Sequence, residues 1–113
     1  MNSTISTHIL DTTLGKPAAN VPVSLLHLKD GIWIKIADAY TDNDGRVKAS
    51  WSSIHIYGGI YKMYFKVDEY FKNIGTDAFY PFVEVVFKVN EQAEHYHVPL
   101  LLNPFGYATY RGS

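Results

Sequence analysis

Cysteine is absent from the 113 residues, which removes disulfide frameworks, thiol nucleophiles and zinc–thiolate sites together. An excess of charge is missing too. The 10 Lys and Arg against 11 Asp and Glu leave a formal net charge of -1. Without a basic stripe to neutralise a phosphate backbone, nucleic acid is not an expected partner. No run approaches the roughly 18 consecutive apolar residues of a membrane span, so no membrane role is expected. The opening Met-Asn-Ser-Thr-Ile-Ser-Thr-His lacks a basic segment followed by an apolar one. A secretory leader is therefore not expected, and the formal glycosylation triplet Asn2-Ser3-Thr4 reads as chance. No Gly-x-Ser-x-Gly elbow occurs, so serine-acyl chemistry is not indicated.

What is present suits a single domain over residues 1–113. Hydrophobic residues make up 47% and charged residues 19%, enough for a real core and too apolar for disorder. A domain this small is near the lower limit for burying its surface alone, and oligomerisation is expected. Apolar residues alternate with period two. Tyr61, Met63, Phe65 and Val67 share one face of the stretch 60–67. Val83, Val85, Phe87 and Val89 share one face of 82–89. Ile32, Ile34 and Ile36 stand opposite Trp33, Lys35 and Ala37. Each pattern predicts a strand with one face on a core, and further strands are expected at 5–10, 21–28, 95–102 and 106–111.

Turn formers punctuate these runs at Gly15-Lys16-Pro17, Lys29-Asp30-Gly31, Asp42-Asn43-Asp44-Gly45, Gly58-Gly59 and Asn103-Pro104. The segment 68–75 opens on Asp68 and Glu69 and closes at Gly75, as a short helix does. The expected fold is all-β, a two-sheet antiparallel β-sandwich with one short helix. Of the nine tyrosines, Tyr64, Tyr96 and Tyr107 or Tyr110 are placed outward by alternation. There they would serve sheet or subunit contacts or ordinary cross-strand packing.

Several residues could carry chemistry. His95 and His97 are two apart on one strand and point to one face. His8 lies on another strand, with Ser6 and Leu10 on its face. Two histidines can divide base and acid roles near neutral pH if they meet in space, which spacing alone does not establish. His27 and His55 read as ordinary surface or hydrogen-bonded residues. Imidazole pairs also bind zinc, but no carboxylate or cysteine clearly completes a ligand set, so no metal is assigned. Asp42-Asn43-Asp44-Gly45 is not a calcium loop, because Tyr40 and Trp51 stand where that pattern needs acids. Asp44-Gly45-Arg46 is better read as a tight turn projecting Arg46. The guanidinium is either solvated or, in a cleft, suited to a flat heterocycle bearing carbonyl oxygens. Ser113 would carry a hydroxyl and the α-carboxylate at the end of a strand expected to be ordered.

At this point the chain resembles a known family. Ser6-Thr7-His8-Ile9-Leu10-Asp11, followed by Gly15-Lys16-Pro17-Ala18, resembles the opening strand of transthyretin-related proteins. Asp42-Asn43-Asp44-Gly45-Arg46 resembles their central turn, and Phe79-Tyr80-Pro81 the start of the strand after their helix. Most specific is HYHVPLLLNPFGYATYRGS, from His95 to Ser113, which is similar to the C-terminal signature of 5-hydroxyisourate hydrolases nearly throughout. The resemblance implies a transthyretin-like (prealbumin-like) sandwich assembled as a homotetramer, a dimer of dimers with active sites at the dimer–dimer interface. It implies a cyclic amide hydrolase that opens 5-hydroxyisourate to 2-oxo-4-hydroxy-4-carboxy-5-ureidoimidazoline, on the route from urate to allantoin, with no cofactor. Carried over by motif, the catalytic residues are His8, Arg46 and His97, and the substrate-binding residues are Tyr110, Arg111, Gly112 and Ser113. His8 and His97 would activate water and move protons, Arg46 would hold the ring's carbonyl oxygens, Ser113 would orient a histidine or the substrate, and Tyr110 would line the channel. The tail Arg-Gly-Ser is not the Ser-Lys-Leu address, so a cytoplasmic location is expected. The rival reading shares the fold: a transthyretin-type carrier of a small aromatic ligand in the central channel.

Overall fold

Alternation in the sequence becomes alternation in burial. In strand β1 (Thr4–Asp11), Ile5, Thr7, Ile9 and Asp11 are buried while Thr4, Ser6, His8 and Leu10 are partly exposed. In β5 (Gly59–Phe65) the inward set is Tyr61, Met63 and Phe65, as the period-two pattern requires. The computed structural model describes residues 3–47, 51 and 53–113; Asn2 of the formal glycosylation triplet lies outside them. Between β1 and β5 come β2 (Lys16–Pro17), β3 (Pro22–Lys29) and β4 (Ile32–Tyr40). After β5 come the helix α1 (Val67–Asn73), β6 (Val83–Val89), β7 (His95–Asn103) and β8 (Gly106–Thr109).

The strands form two four-stranded sheets, ordered β2-β1-β7-β8 and β4-β3-β5-β6. Between them lies one core, in which Ile9, Leu25, Met63, Phe65 and Leu100 are fully buried. The expected two-sheet sandwich with one short helix is what forms. Helix α1 begins one residue earlier than expected, carries Asp68 and Glu69 in its first turn, and seats Val67, Tyr70 and Phe71 on the core. The Tyr70 hydroxyl donates to Asp11 Oδ2 at 2.7 Å, tying the helix to the end of β1. Oδ1 of the same carboxylate accepts the Thr13 and Leu14 amides at 3.0 and 3.1 Å.

Four local readings differ from expectation. Strands β1 and β7 pair parallel, although every other pair is antiparallel. Alternation reports which face a side chain takes, not which way its neighbour runs. In β4 the register slips opposite Leu25 and Leu26, leaving Ile36 as an extra residue. The bulge reverses the parity of an edge strand, so Ile32 and Ile34 are 65% and 44% exposed instead of facing the core. Lys16-Pro17, read as part of a turn, forms the short strand β2 against Leu10 and Asp11. Tyr96, expected outward, is 3% exposed because it shares the parity of Val98, Leu100 and Leu102. Its hydroxyl accepts the Asn90 amide at 2.8 Å.

Candidate active site

The parallel register of β1 and β7 sets Thr4 beside His95, Ser6 beside His97 and His8 beside Pro99. Because Thr4, Ser6 and His8 share one parity, and His95 and His97 another, all five project from the outward face of this sheet. Ser6 Oγ lies 2.8 Å from His97 Nδ1 and 3.1 Å from His95 Nε2. Thr4 Oγ1 lies 2.6 Å from His95 Nδ1. The two imidazoles stand nearly parallel, with centroids 6.5 Å apart.

Arg46 reaches this face through its turn. Oδ1 of Asp42 accepts the amides of Asp44 and Arg46 at 2.8 and 3.0 Å, and the Asp42 amide donates to Arg46 O at 2.8 Å. An aspartate closing a turn onto the amide two residues on is its usual role there. Gly45 at φ +73° lets the turn press against β1, where its carbonyl accepts the Ile9 amide at 2.8 Å. A Cβ there would meet Ile9 O at 2.4 Å, so no larger residue fits. The contact leaves Arg46 bridged to His8 as an isolated antiparallel pair.

The C-terminal tail approaches from the other side. Past β8 the Gly112 amide donates to His97 O at 2.8 Å, and Gly112 bridges His97. A Cβ on Gly112 would lie 2.5 Å from His97 Cδ2, so the tail backbone lies directly on the imidazole. Arg111 is already engaged: its Nη2 donates to Glu94 Oε2 at 2.9 Å, and its guanidinium carbon lies 4.7 Å over the Tyr96 ring. The Arg111 hydrogen bond holds the Glu94 carboxyl below its usual value.

The structure thus brings together His8, Arg46, His97 and Gly112, four of the seven residues singled out in the sequence. Ser113, exposed, follows Gly112 directly. Tyr110 and Arg111 line a different feature, a cavity of about 320 Å³ at the β6 and β8 edges that also touches Val86, Phe87, Lys88 and Thr109. His27 and His55 stack on Tyr61 and Tyr57, an ordinary packing role. Among the described residues no three His, Cys, Asp or Glu side chains gather as a metal site. Sequence reasoning had no role for Thr4, Ser6 and His95 as a hydrogen-bonded set. Their shared parity was visible, but the β1–β7 register that joins them was not.

The electrostatics favour a neutral base. Burial, then the positive charge of Arg46, then His95 and His8, hold His97 below its ordinary imidazole value. Near neutral pH an imidazole so placed is unprotonated and able to accept a proton. A guanidinium close by can face developing negative charge. Together these groups suit water attack on a polar carbonyl.

Known proteins resemble this chain along nearly its whole length. The family model described as HIUase/Transthyretin family matches residues 5–112. The 5-hydroxyisourate hydrolase of Salmonella dublin is 46% identical over 99% of this chain and 82% of its own length. Among solved structures, the Klebsiella pneumoniae 5-hydroxyisourate hydrolase superposes with a TM-score of 0.85 at 34% identity, covering 98% of this chain and 99% of that one. Transthyretin from Sparus aurata superposes with a TM-score of 0.91 at 32% identity, covering 98% and 97%.

Proposed function

We propose, from the premise that this chain belongs to the HIUase/transthyretin family, that it hydrolyses 5-hydroxyisourate in urate degradation. The observation that carries this reading is the placement of His97: half-buried, held by Ser6, covered by Gly112, and close enough to Arg46 for that charge, after burial, to hold its imidazole below the ordinary value. Hydrolysis of a cyclic amide needs an activated water, a positive partner for the developing oxyanion, and a proton for the departing nitrogen. His97 Nε2 takes a proton from water as the water oxygen bonds to the ring carbonyl carbon. Arg46 faces the oxygen that becomes negative. The carbon–nitrogen ring bond then breaks, and His8 supplies the proton the nitrogen needs. Gly112 and Ser113 wall the site beside His97, while Tyr110 and Arg111 line the separate cavity at the β6 and β8 edges.

The working form is a cytoplasmic homotetramer, a dimer of dimers with its sites at the dimer–dimer interface. Exposed Phe82, Val86, Phe105 and Tyr107, all on or beside the edge strands β6 and β8, support association, since apolar side chains grouped on one surface mark interfaces. Light scattering checks the assembly and cell fractionation the compartment.

A carrier of a small aromatic ligand is the second reading, favoured by the 0.91 TM-score to a transthyretin. The imidazole and guanidinium set argues for the hydrolase. The deciding experiment follows the ultraviolet decay of freshly generated 5-hydroxyisourate. Decay at the buffer-blank rate, beside a competent positive control, would overturn the hydrolase reading and favour the carrier. With assembly verified, His97→Asn should lose on the order of 10²–10⁴ in turnover, the usual worth of acid–base catalysis. An unchanged rate would overturn the assignment of His97.

A further inference from the structure

We infer that Ser6 couples His97 to His95, so that the proton His97 takes from water is passed through the Ser6 hydroxyl and stored on His95 at the exposed end of the site. The inference rests on the reading of His97 as the base and deepens it by adding two positioning residues, Ser6 and His95.

The hydrogen-bond count carries the argument. Ser6 Oγ is within bonding distance of both His97 Nδ1, at 2.8 Å, and His95 Nε2, at 3.1 Å. A hydroxyl owns one proton, so Ser6 can donate to only one of these rings and must accept from the other. For His97 to act as a base at Nε2, its own proton must sit on Nδ1 and be donated to Ser6 Oγ. The Ser6 proton is then directed to His95 Nε2. His95 keeps its proton on Nδ1, where Thr4 Oγ1 accepts it at 2.6 Å. Each of the three side-chain bonds in that resting arrangement then has one donor and one acceptor.

Protonation of His97 Nε2 makes an imidazolium in a poor place. The ring is half-buried, and Arg46, His95 and His8 face it; burial and these charges disfavour its cation. A shift of two protons relieves this. The His97 Nδ1 proton moves to Ser6 Oγ while the Ser6 proton moves to His95 Nε2. His97 is then neutral with its proton on Nε2, and His95 is the imidazolium, donating to Thr4 through Nδ1 and to Ser6 through Nε2. The Ser6 hydroxyl now donates to His97 Nδ1, so each of the three bonds again has one donor and one acceptor. His95 is exposed, and water there solvates its charge. When His97 Nε2 gives up its proton to product or solvent, both shifts run back and restore the base. Proton number is conserved at each stage.

The test compares Ser6→Ala, Ser6→Thr and His95→Gln in the intact assembly, with His97→Asn as the reference for the site itself. Ser6→Ala should lower kcat about tenfold, a fraction of the full acid–base contribution, with KM little changed. It should also move the neutral His97 ring away from the Nδ1–H tautomer, read by nitrogen NMR without any substrate. Ser6→Thr should restore both kcat and tautomer. His95→Gln should keep the His97 tautomer but lower kcat, and the number of protons in flight in mixed light and heavy water should fall. If folded Ser6→Ala keeps the wild-type kcat and tautomer, or His95→Gln keeps the wild-type kcat and proton inventory, the coupling is overturned while a dead His97→Asn leaves the base assignment standing. If His97→Asn is itself active, the base reading falls first.

Discussion

On the outward face of the β4-β3-β5-β6 sheet, Lys62 Nζ meets Glu84 Oε2 at 2.9 Å and lies 4.4 Å over the Trp33 ring. Lys35 meets Asp38 at 2.9 Å, and the Ser24 hydroxyl, then Lys35, holds the Asp38 carboxyl below its usual value. On the outward face of β1 and β7 the ionisable side chains His95 and His97 are bonded instead to the hydroxyls of Thr4 and Ser6. Both faces carry polar groups in ordered contacts, hydroxyls among them, yet only the first also sets a cation against each carboxylate. A carboxylate beside a cation stabilises the charged form and locks it. A hydroxyl can donate or accept and does not choose a charge state for the ring. The first arrangement is a pair at rest, and the second leaves an imidazole free to change protonation.

Changes at three places test that contrast. The largest effect is expected at the tail, where backbone is laid directly on the His97 ring. Gly112→Ala drives a methyl into His97, whose Cδ2 would be 2.5 Å away, and removal of Arg111 to Ser113 takes the cover off. Each should lower turnover by roughly tenfold to a hundredfold, as misplacement of a reacting group does. The melting temperature should move little, since the deletion removes only the contacts of solvent-exposed Arg111 with Glu94 and with one face of the Tyr96 ring. Loss of fold in step with activity would show the tail to be structural.

Next, Ser6→Asp makes the β1–β7 face resemble the other one. A carboxylate beside His97 favours the imidazolium, so the folded-state value should rise by about one unit or more. In the wild type that value is lowered, so the base form persists as pH falls below the ordinary imidazole range. In the variant, kcat should be lost at higher pH during acidification. A pH–rate profile beside an NMR titration of His97 reads this directly, and a profile that stays in place contradicts the argument.

The smallest effect is expected at Glu84→Gln. Glu84 is 40% exposed, and such pairs contribute less than about 1 kcal/mol. Urea unfolding should show a change within that bound, with turnover unaffected. A change in turnover would mean the two faces communicate through β5 and β6.

Period-two runs in β5 and β6 made their strands legible, because a half-buried strand has to alternate and the period survives without knowledge of any partner. The acidic opening and terminal glycine of α1 were legible for the same local reason. His8, Arg46 and His97 were legible through motif likeness to a family, not through spacing. Ile32 and Ile34 misled, because a bulge in β4 alters parity after the sequence has set its pattern. Tyr96 was misplaced although its parity with Val98, Leu100 and Leu102 was available.

What the chain's order of residues settles is therefore local: which side chains share a face, where turns fall, and where a helix interrupts. What tertiary structure alone decides is adjacency. The parallel register of β1 against β7 brings together residues some ninety positions apart in the chain, Ser6 with both His95 and His97. Pairing direction and register depend on the packing of the whole sandwich, so no local pattern encodes them. That long-range choice turns scattered histidines and hydroxyls into one hydrogen-bonded set.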